Sequence, residues 1–189
     1  PMTQHLHAAT QASAWVMRWS HLIPHNGKVL DVACGHGRHM QWLKQQGFDC
    51  LGLDRDAQAL ASAKAFGDVM QADVENQAWP LAGQTFQGVV VTNYLWRALW
   101  PDLLDAVAES GVLIYETFAQ GHETVGRPSR ADFLLRPGEL LQAFGALRTV
   151  AYEDGYLENP ARFVQRIAAV RETPHPEAPA RHGLQPASS

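Results

Sequence analysis

Apolar positions follow two rhythms along this chain. Short apolar runs at residues 29–33, 50–54, 86–92 and 111–116, with a weaker one at 68–72, have the length of buried strands. Between them, residues 38–46, 57–65 and 98–108 read as helices. Gly47 and Gly67 close the first two of these helices, because glycine takes the left-handed conformation of a helix stop at little cost. Strand and helix alternating in this way predict an α/β domain with a mostly parallel sheet covered on both faces. After Pro137 the pattern changes. Residues 138–144 predict a helix, and 147–156 and 162–170 alternate as two strands of a hairpin, turned at 153–155 or at 158–160. Upstream, residues 12–22 predict an amphipathic helix stopped by Pro24, with Trp15 and Trp19 four apart on its core face. The expected organisation is a flexible N-terminus at 1–10, one domain at 11–172 and a Pro-rich tail at 173–189. That tail holds too few large apolar residues to offset its ordering entropy, so disorder is expected there.

Composition narrows the function classes. At 189 residues the chain suits one domain with a sizeable core. Its net charge of -4 and pI near 6.1 weigh against nucleic acid as the main partner. Cys34 and Cys50 form no CxxC pair and no disulfide-like spacing, which fits a reducing cytoplasm. The first residues lack the basic-then-apolar order of a signal peptide, with Pro1 ahead of Met2 reading as a leftover of expression. No apolar run approaches the roughly 18 residues of a membrane helix. Nine histidines fall at no metal-binding spacing, so no metal is expected.

The chemistry concentrates where the first strand ends, at Val29-Leu30-Asp31-Val32-Ala33-Cys34-Gly35-His36-Gly37-Arg38-His39. Gly35 and Gly37 make a tight turn into a helix, and their missing side chains let a ligand lie against the backbone. A dinucleotide fingerprint would carry a third glycine where this chain has Met40. The Asp31 carboxylate also repels a pyrophosphate while attracting ammonium and sulfonium charge. Asp54 ends the second strand, placed to accept both hydroxyl hydrogens of a ribose, while Asp56 beside it reads as a helix cap. Asp73 follows the third strand and can accept from an adenine amino group, with Val74 packing on the ring; a simple turn acid is the competing reading of Asp73.

Together Asp31-x-Ala-Cys-Gly-x-Gly-Arg-His, Asp54, Asp73 and Thr92-Asn93-Tyr94-Leu95 resemble the successive motifs of class I S-adenosylmethionine-dependent methyltransferases, across residues 29–118. The resemblance implies a Rossmann-like, doubly wound, seven-stranded sheet with a C-terminal antiparallel strand, and S-adenosyl-L-methionine as cofactor. It implies that Asp31, Gly35 and Gly37 hold the methionine portion, Asp54 the ribose and Asp73 the adenine. Ala33, Arg55, Val74 and Asn93 complete the expected cofactor contacts. The segments Tyr115-Glu116-Thr117-Phe118, Gly126-Arg127-Pro128 and Phe133-Leu134-Leu135-Arg136-Pro137-Gly138-Glu139-Leu140 are similar to the bacterial tellurite-resistance and thiopurine-methyltransferase-like group, which implies a small acceptor.

The acceptor is expected outside the carboxyl ends of strands four and five, among Asn93, Tyr94, Trp96 and Arg97 and then Glu116, His122, Glu123, Arg127 and Arg130. Tyr94 either closes over the methyl group or packs under the next helix. His122 is the candidate base, or else an exposed loop histidine. Arg127 and Arg130 either bind an anionic acceptor or are solvated. Trp96, Arg97 and Arg127 are the expected substrate contacts. Asn93-Tyr94-Leu95 lacks the two prolines of methylases that act on nucleic acid bases. The leading expectation is methyl transfer to a small molecule. The alternatives are an RNA or protein methyltransferase, and a non-catalytic S-adenosylmethionine-binding protein.

Overall fold

The computed structural model describes residues 11–188. The elements follow in the order α1 (Ala14–Trp19), β1 (Lys28–Val32), α2 (Arg38–Gln45), β2 (Asp49–Asp54), α3 (Ala57–Ala63), β3 (Asp68–Gln71), β4 (Phe86–Thr92), α4 (Trp100–Ala106), β5 (Val107–Phe118), α5 (Glu139–Ala143), β6 (Arg148–Leu157) and β7 (Arg162–Val170). The strands form one seven-stranded sheet in the order β3-β2-β1-β4-β5-β7-β6. β1 to β5 run parallel, and β7 lies antiparallel between β5 and β6. This is the α/β architecture that the alternating pattern predicts. The chain order reverses beside β1, and a doubly wound sheet opens its ligand crevice at that point.

Strand side chains alternate between the two faces. Leu30, Val32, Val89, Val91, Leu113 and Tyr115 pack with Leu103, Leu140 and Phe144 in one core layer. Val29, Val90, Val112 and Ile114 pack with Trp15, Trp19, Met40, Leu43 and Leu60 in the other. Burying a side chain of this size contributes about 1.5–3 kcal/mol, so the two layers supply the main folding force. Trp15 and Trp19 are core residues, with ring centroids 5.8 Å apart.

Ser13 caps α1 by accepting from the Trp15 and Val16 amides, and Asp56 caps α3 through the Gln58 and Ala59 amides. Gly47 takes the expected left-handed stop at φ 91°, whereas Gly67 is extended and α3 ends through the 3-10 turn Lys64–Phe66. The hairpin turns at 158–161, not at Glu153-Asp154-Gly155, which lies within β6. The fourth helix stops at Ala106 rather than 108, because β5 already begins at Val107. Residues 171–188 carry no helix or strand; they are pinned where His182 meets Glu172 at 2.8 Å and His21 meets the Gly183 carbonyl at 2.7 Å. The expected flexible N-terminus, residues 1–10, lies outside the described residues.

Candidate functional site

Three cavities lie around the glycine turn at the carboxyl ends of the strands. The first, 190 Å³, is lined by Val32, Ala33, Asp54, Arg55, Asp73, Val74 and Tyr94 among others. The second, 480 Å³, shares Ala33 with it and adds Gly35, His36, Arg38, Thr92 and Asn93. The third, 520 Å³, shares Arg38 and Asn93 with the second and extends to Ser13, Glu116, His122, Arg127, Arg162 and Arg166. Shared walls make them one bent cleft, running from β3 across β1 and β4 to β7.

Asp54 organises the first bend. Its Oδ2 accepts the Gly35 N–H at 2.8 Å and its Oδ1 accepts the Asp56 N–H at 2.9 Å. The carboxylate thus fixes the turn while facing the cavity, with lone pairs left for further donors. Gly35 has φ +55°, and a Cβ added there would meet nothing within 4 Å, so the turn is left bare toward the cleft. Gly37 meets a further demand. At φ +89° its Cβ would lie 2.9 Å from Ala63 Cα, so its missing side chain lets α2 pack on α3. Helix packing thus supplies a reason of its own for a glycine at position 37, beside the expected ligand role.

Asp73 lines the first cavity and also caps its own turn, accepting from the Glu75 N–H at 3.1 Å and the Asn76 amide at 2.8 Å. The Asn76 hydrogen bond leads the causes that hold its carboxyl below the ordinary range. Both readings of Asp73 describe the same residue. Asp31 sits beneath the turn, 1% exposed, and neither carboxyl oxygen has a hydrogen-bond partner among the described residues. Burial raises its pKa to about 8, against the attraction of Arg38.

A polar row crosses four strands on the α1 and α2 face of the sheet. Thr92 stands in register with Glu116, Glu116 with Arg166, and Arg166 with Glu153. The Arg166 guanidinium donates to Glu116 at 3.0 Å and to Glu153 at 2.7 Å, and it lies over the Trp15 ring at 4.8 Å. Ser13 Oγ donates to the other Glu116 oxygen at 2.7 Å. Such charge-assisted bonds contribute about 1.5–3 kcal/mol each. His39 is buried, and burial foremost, with Arg38 second, lowers its pKa to about 3. Its neutral ring accepts the Ser13 N–H at Nε2, 3.0 Å, which leaves the Nδ1 proton for Thr92 Oγ1 at 3.3 Å. Arg38 donates to the Gln11 carbonyl at 3.0 Å. These contacts fold residues 11–13 over the cleft.

Several expectations are corrected here. His122 is buried rather than loop-exposed, stacks on Phe118 at 4.3 Å, and has both ring nitrogens engaged. Nδ1 accepts the Phe163 N–H at 3.3 Å, which puts the proton on Nε2, donated to the Arg127 carbonyl at 3.0 Å. A ring so occupied has no lone pair free to act as a base. Tyr94 does not reach toward the acceptor side. It is a wall of the first cavity, its hydroxyl donating to Glu75 at 3.0 Å, and burial foremost holds its pKa well above the usual phenol range.

Arg97 clasps Glu139, with Nε and Nη2 donating at 2.7 and 2.9 Å, and further donates to the Asp132 and Leu134 carbonyls at 2.8 and 3.0 Å. It is a structural clamp rather than a substrate contact. Trp96 lines a separate groove with Arg130 and Phe133 that shares no residue with the cleft. Of the expected acceptor residues, Asn93, Glu116, His122 and Arg127 line the third cavity.

Ser13, Arg162 and Arg166 were not singled out from the sequence, and Arg38, His39 and Thr92 stood there only as motif positions without a role of their own. A signal for two of them was present: Thr92 and Arg166 are polar at inward-facing positions of largely apolar strands. No group of three or more His, Cys, Asp or Glu side chains able to hold a metal occurs among the described residues. No described helix is long and apolar enough to cross a membrane.

Comparison with known proteins places this geometry. Residues 29–111 match the family model described as a methyltransferase domain. The chain is 31% identical to the tRNA U34 carboxymethyltransferase of Vibrio vulnificus (strain YJ016), over 66% of this chain and 44% of that protein. It therefore spans less than half the length of the curated relatives it matches. Among solved structures, TehB from Haemophilus influenzae matches with a TM-score of 0.71 at 16% identity, covering 85% of this chain and 62% of that one. A TehB-like SAM-dependent methyltransferase from Corynebacterium glutamicum matches with a TM-score of 0.64 at 16% identity, covering 90% and 95%. At such identities the structural likeness concerns the fold.

Proposed function

We propose that the chain, whose residues 29–111 match a methyltransferase domain and whose sheet is similar to that of TehB, is a class I S-adenosylmethionine-dependent methyltransferase that transfers a methyl group from S-adenosylmethionine to a small molecule. The single observation that carries this reading is the placement of Asp54. Its carboxylate pins the bare Gly35 turn at 2.8 Å and faces a cavity whose far wall is Asp73 and Val74. In this reading Asp54 holds the ribose hydroxyls and Arg55 flanks them. Asp73 and Val74 take the adenine, with Tyr94 as the opposite wall. Ala33, Gly35 and Asn93 line the passage for the methionine portion.

The orphaned Asp31 fits a cationic ligand. A buried carboxyl without partners is costly, and a positive charge brought beside it favours its ionised form. S-adenosylmethionine supplies a methyl carbon on positively charged sulfur, open to in-line attack. The protein's contribution is alignment and exclusion of water. Residues 11–13, tied down through Ser13 and Gln11, cover the cleft where it meets the third cavity. Glu116, the one carboxylate lining that cavity among the described residues, is fixed by Ser13 and Arg166 and keeps lone pairs for a hydrogen bond from an acceptor. It replaces His122 as the group able to orient a nucleophile.

A cavity of 520 Å³ is of small-molecule size. The name of the Vibrio relative favours a second reading, an RNA acceptor, and the net charge of -4 weighs against it. Isothermal titration with S-adenosylmethionine and S-adenosylhomocysteine tests the cofactor assignment. Wild type is expected to bind both, and Asp54→Ala to bind at least about tenfold more weakly. A wild-type chain that binds neither refutes it. Release of S-adenosylhomocysteine over panels of small acceptors and of tRNA then separates the two acceptor readings.

A further inference from the structure

The third cavity is strongly positive in a chain that is negative overall. Four arginines line it, Arg38, Arg127, Arg162 and Arg166, against the single carboxylate of Glu116. Two of the four are already committed. Arg166 is shared between Glu116 and Glu153, and Arg38 reaches the Gln11 carbonyl and lies under the field of Asp31 and Glu116. Arg127 and Arg162 are different. Neither is in ion-pair distance of a carboxylate among the described residues, and the one side-chain bond between them runs from Arg162 to the Pro160 carbonyl at 2.9 Å.

The same two residues are brought to one cavity by His122. Its Nε2–H holds the carbonyl of Arg127, on the loop after β5. Its Nδ1 holds the amide of Phe163, next to Arg162 at the start of β7. Phe118 stacks on the ring, and His122 Nε2 lies 3.4 Å from the Cβ position of Gly126, so the imidazole is wedged between the two segments. A buried histidine that joins two backbone stretches, each bearing an arginine with no carboxylate, is a built arrangement. Guanidinium groups there suit a carboxylate or phosphate, which accept charge-assisted hydrogen bonds from them.

We propose that the methyl acceptor is a small anion bearing a carboxylate or phosphate group, gripped by Arg127 and Arg162, with His122 as the positioning residue that holds both. This rests on the third cavity being the acceptor site of the methyl transfer proposed above. The anionic group docks at the β7 side of the cavity. The nucleophile of the same molecule then lies toward Glu116 and Asn93, where the cleft meets the glycine turn.

The test is isothermal titration of the full chain, saturated with S-adenosylhomocysteine, using inorganic phosphate, benzoate and the neutral methyl benzoate as probes. Phosphate and benzoate are separate arms: preference for one names the group, and binding of either supports the proposal, while methyl benzoate is expected to bind at least about tenfold more weakly than benzoate. Arg127→Ala and Arg162→Ala should each weaken the preferred anion by about tenfold, and His122→Ala by a similar factor. His122→Gln, whose amide supplies one donor and one acceptor, should recover part of that loss. Arg148→Ala, at the opposite end of the sheet and paired with Glu172, should change nothing.

S-adenosylhomocysteine affinity should be unaltered in every variant, which also shows that each one folds. Failure of the cofactor assignment appears separately, as wild-type protein that does not bind S-adenosylhomocysteine. The proposal is overturned if wild type binds neither anion, if methyl benzoate competes equally, or if Arg148→Ala loses as much as Arg127→Ala. It is overturned equally if tRNA is methylated and the arginine substitutions weaken tRNA binding instead.

Discussion

Replacing Arg97 by alanine decides whether this side chain binds substrate or braces the fold. Glu139 is 5% exposed and accepts four hydrogen bonds, from Arg97 Nε and Nη2 and from the backbone and side chain of Arg136, at 2.7, 2.9, 2.9 and 3.2 Å. Removing one partner of a buried ion pair typically costs about 3–5 kcal/mol, because a desolvated charge is left uncompensated. Arg136 still reaches Glu139, so the lower end, about 3 kcal/mol, is expected. In a domain of this size that lowers Tm by roughly 6–12 °C.

Urea denaturation with an unchanged m-value would measure the loss. Arg97→Leu combined with Glu139→Leu should regain much of it, since two apolar groups leave no buried charge. The pH dependence follows. Burial is the largest influence and pushes the Glu139 carboxyl up, but the hydrogen bonds and charges of Arg97 and Arg136 together outweigh it and hold the carboxyl below its ordinary 4.5. The contribution is therefore complete above about pH 4.5 and lost as pH falls through the lower folded value, and Arg97→Ala should shrink that acid loss. A variant within about 1 kcal/mol of wild type, showing instead a raised acceptor KM, refutes the clamp.

Further outcomes follow from other parts of the cleft. Gly35→Ala should fold at a cost of about 1 kcal/mol from its positive φ and lose S-adenosylhomocysteine affinity, whereas Gly37→Ala adds a clash with Ala63 and should lose more stability; calorimetry and titration separate the two. His39, at about 3 when folded, makes stability fall as pH drops from 6.5 toward 3, by up to about 1.4 kcal/mol per pH unit. Asp31, at about 8, acts with the opposite sign, its contribution full below 3.8 and lost as pH rises through 8. The two slopes offset between 3.8 and 6.5, so Asp31→Asn should flatten the fall in stability from pH 6.5 to 8; an unaltered slope there contradicts the buried-acid assignment. Burial pushes the Cys50 thiol up to about 12 and Cys34 higher still, so iodoacetamide should label neither in the native protein and both in urea.

The alternation of strand and helix was legible because burial on both sheet faces leaves a local imprint on every run of residues. Asp31, Gly35, Asp54 and Asp73 were legible for a related reason: each lies at the end of a strand, where parallel topology gathers side chains from distant sequence positions onto one edge. Arg97 and His122 were misassigned because their partners are tertiary. Arg97 meets Glu139, 42 positions on, and His122 meets Phe163, 41 positions on, and no local pattern links either pair. The bond between Ser13 and Glu116 spans 103 positions. At Gly37 helix packing was not legible beside the ligand role, because the requirement for a missing side chain reads the same whether nucleoside or a neighbouring helix approaches.

The two walls of the cleft have separate sources along the polypeptide. Residues from Val32 to Tyr94 surround the first cavity, while Arg162, Val164 and Arg166 reach the third on one contiguous hairpin, β6–β7, added next to β5. On the reading proposed above, the walls assigned to the methyl donor emerge first during synthesis, and Arg162, part of the wall assigned to the recipient, arrives with the last strand. On that reading the hairpin is an exchangeable cassette: replacing it would alter the choice of recipient while leaving the donor's cavity alone.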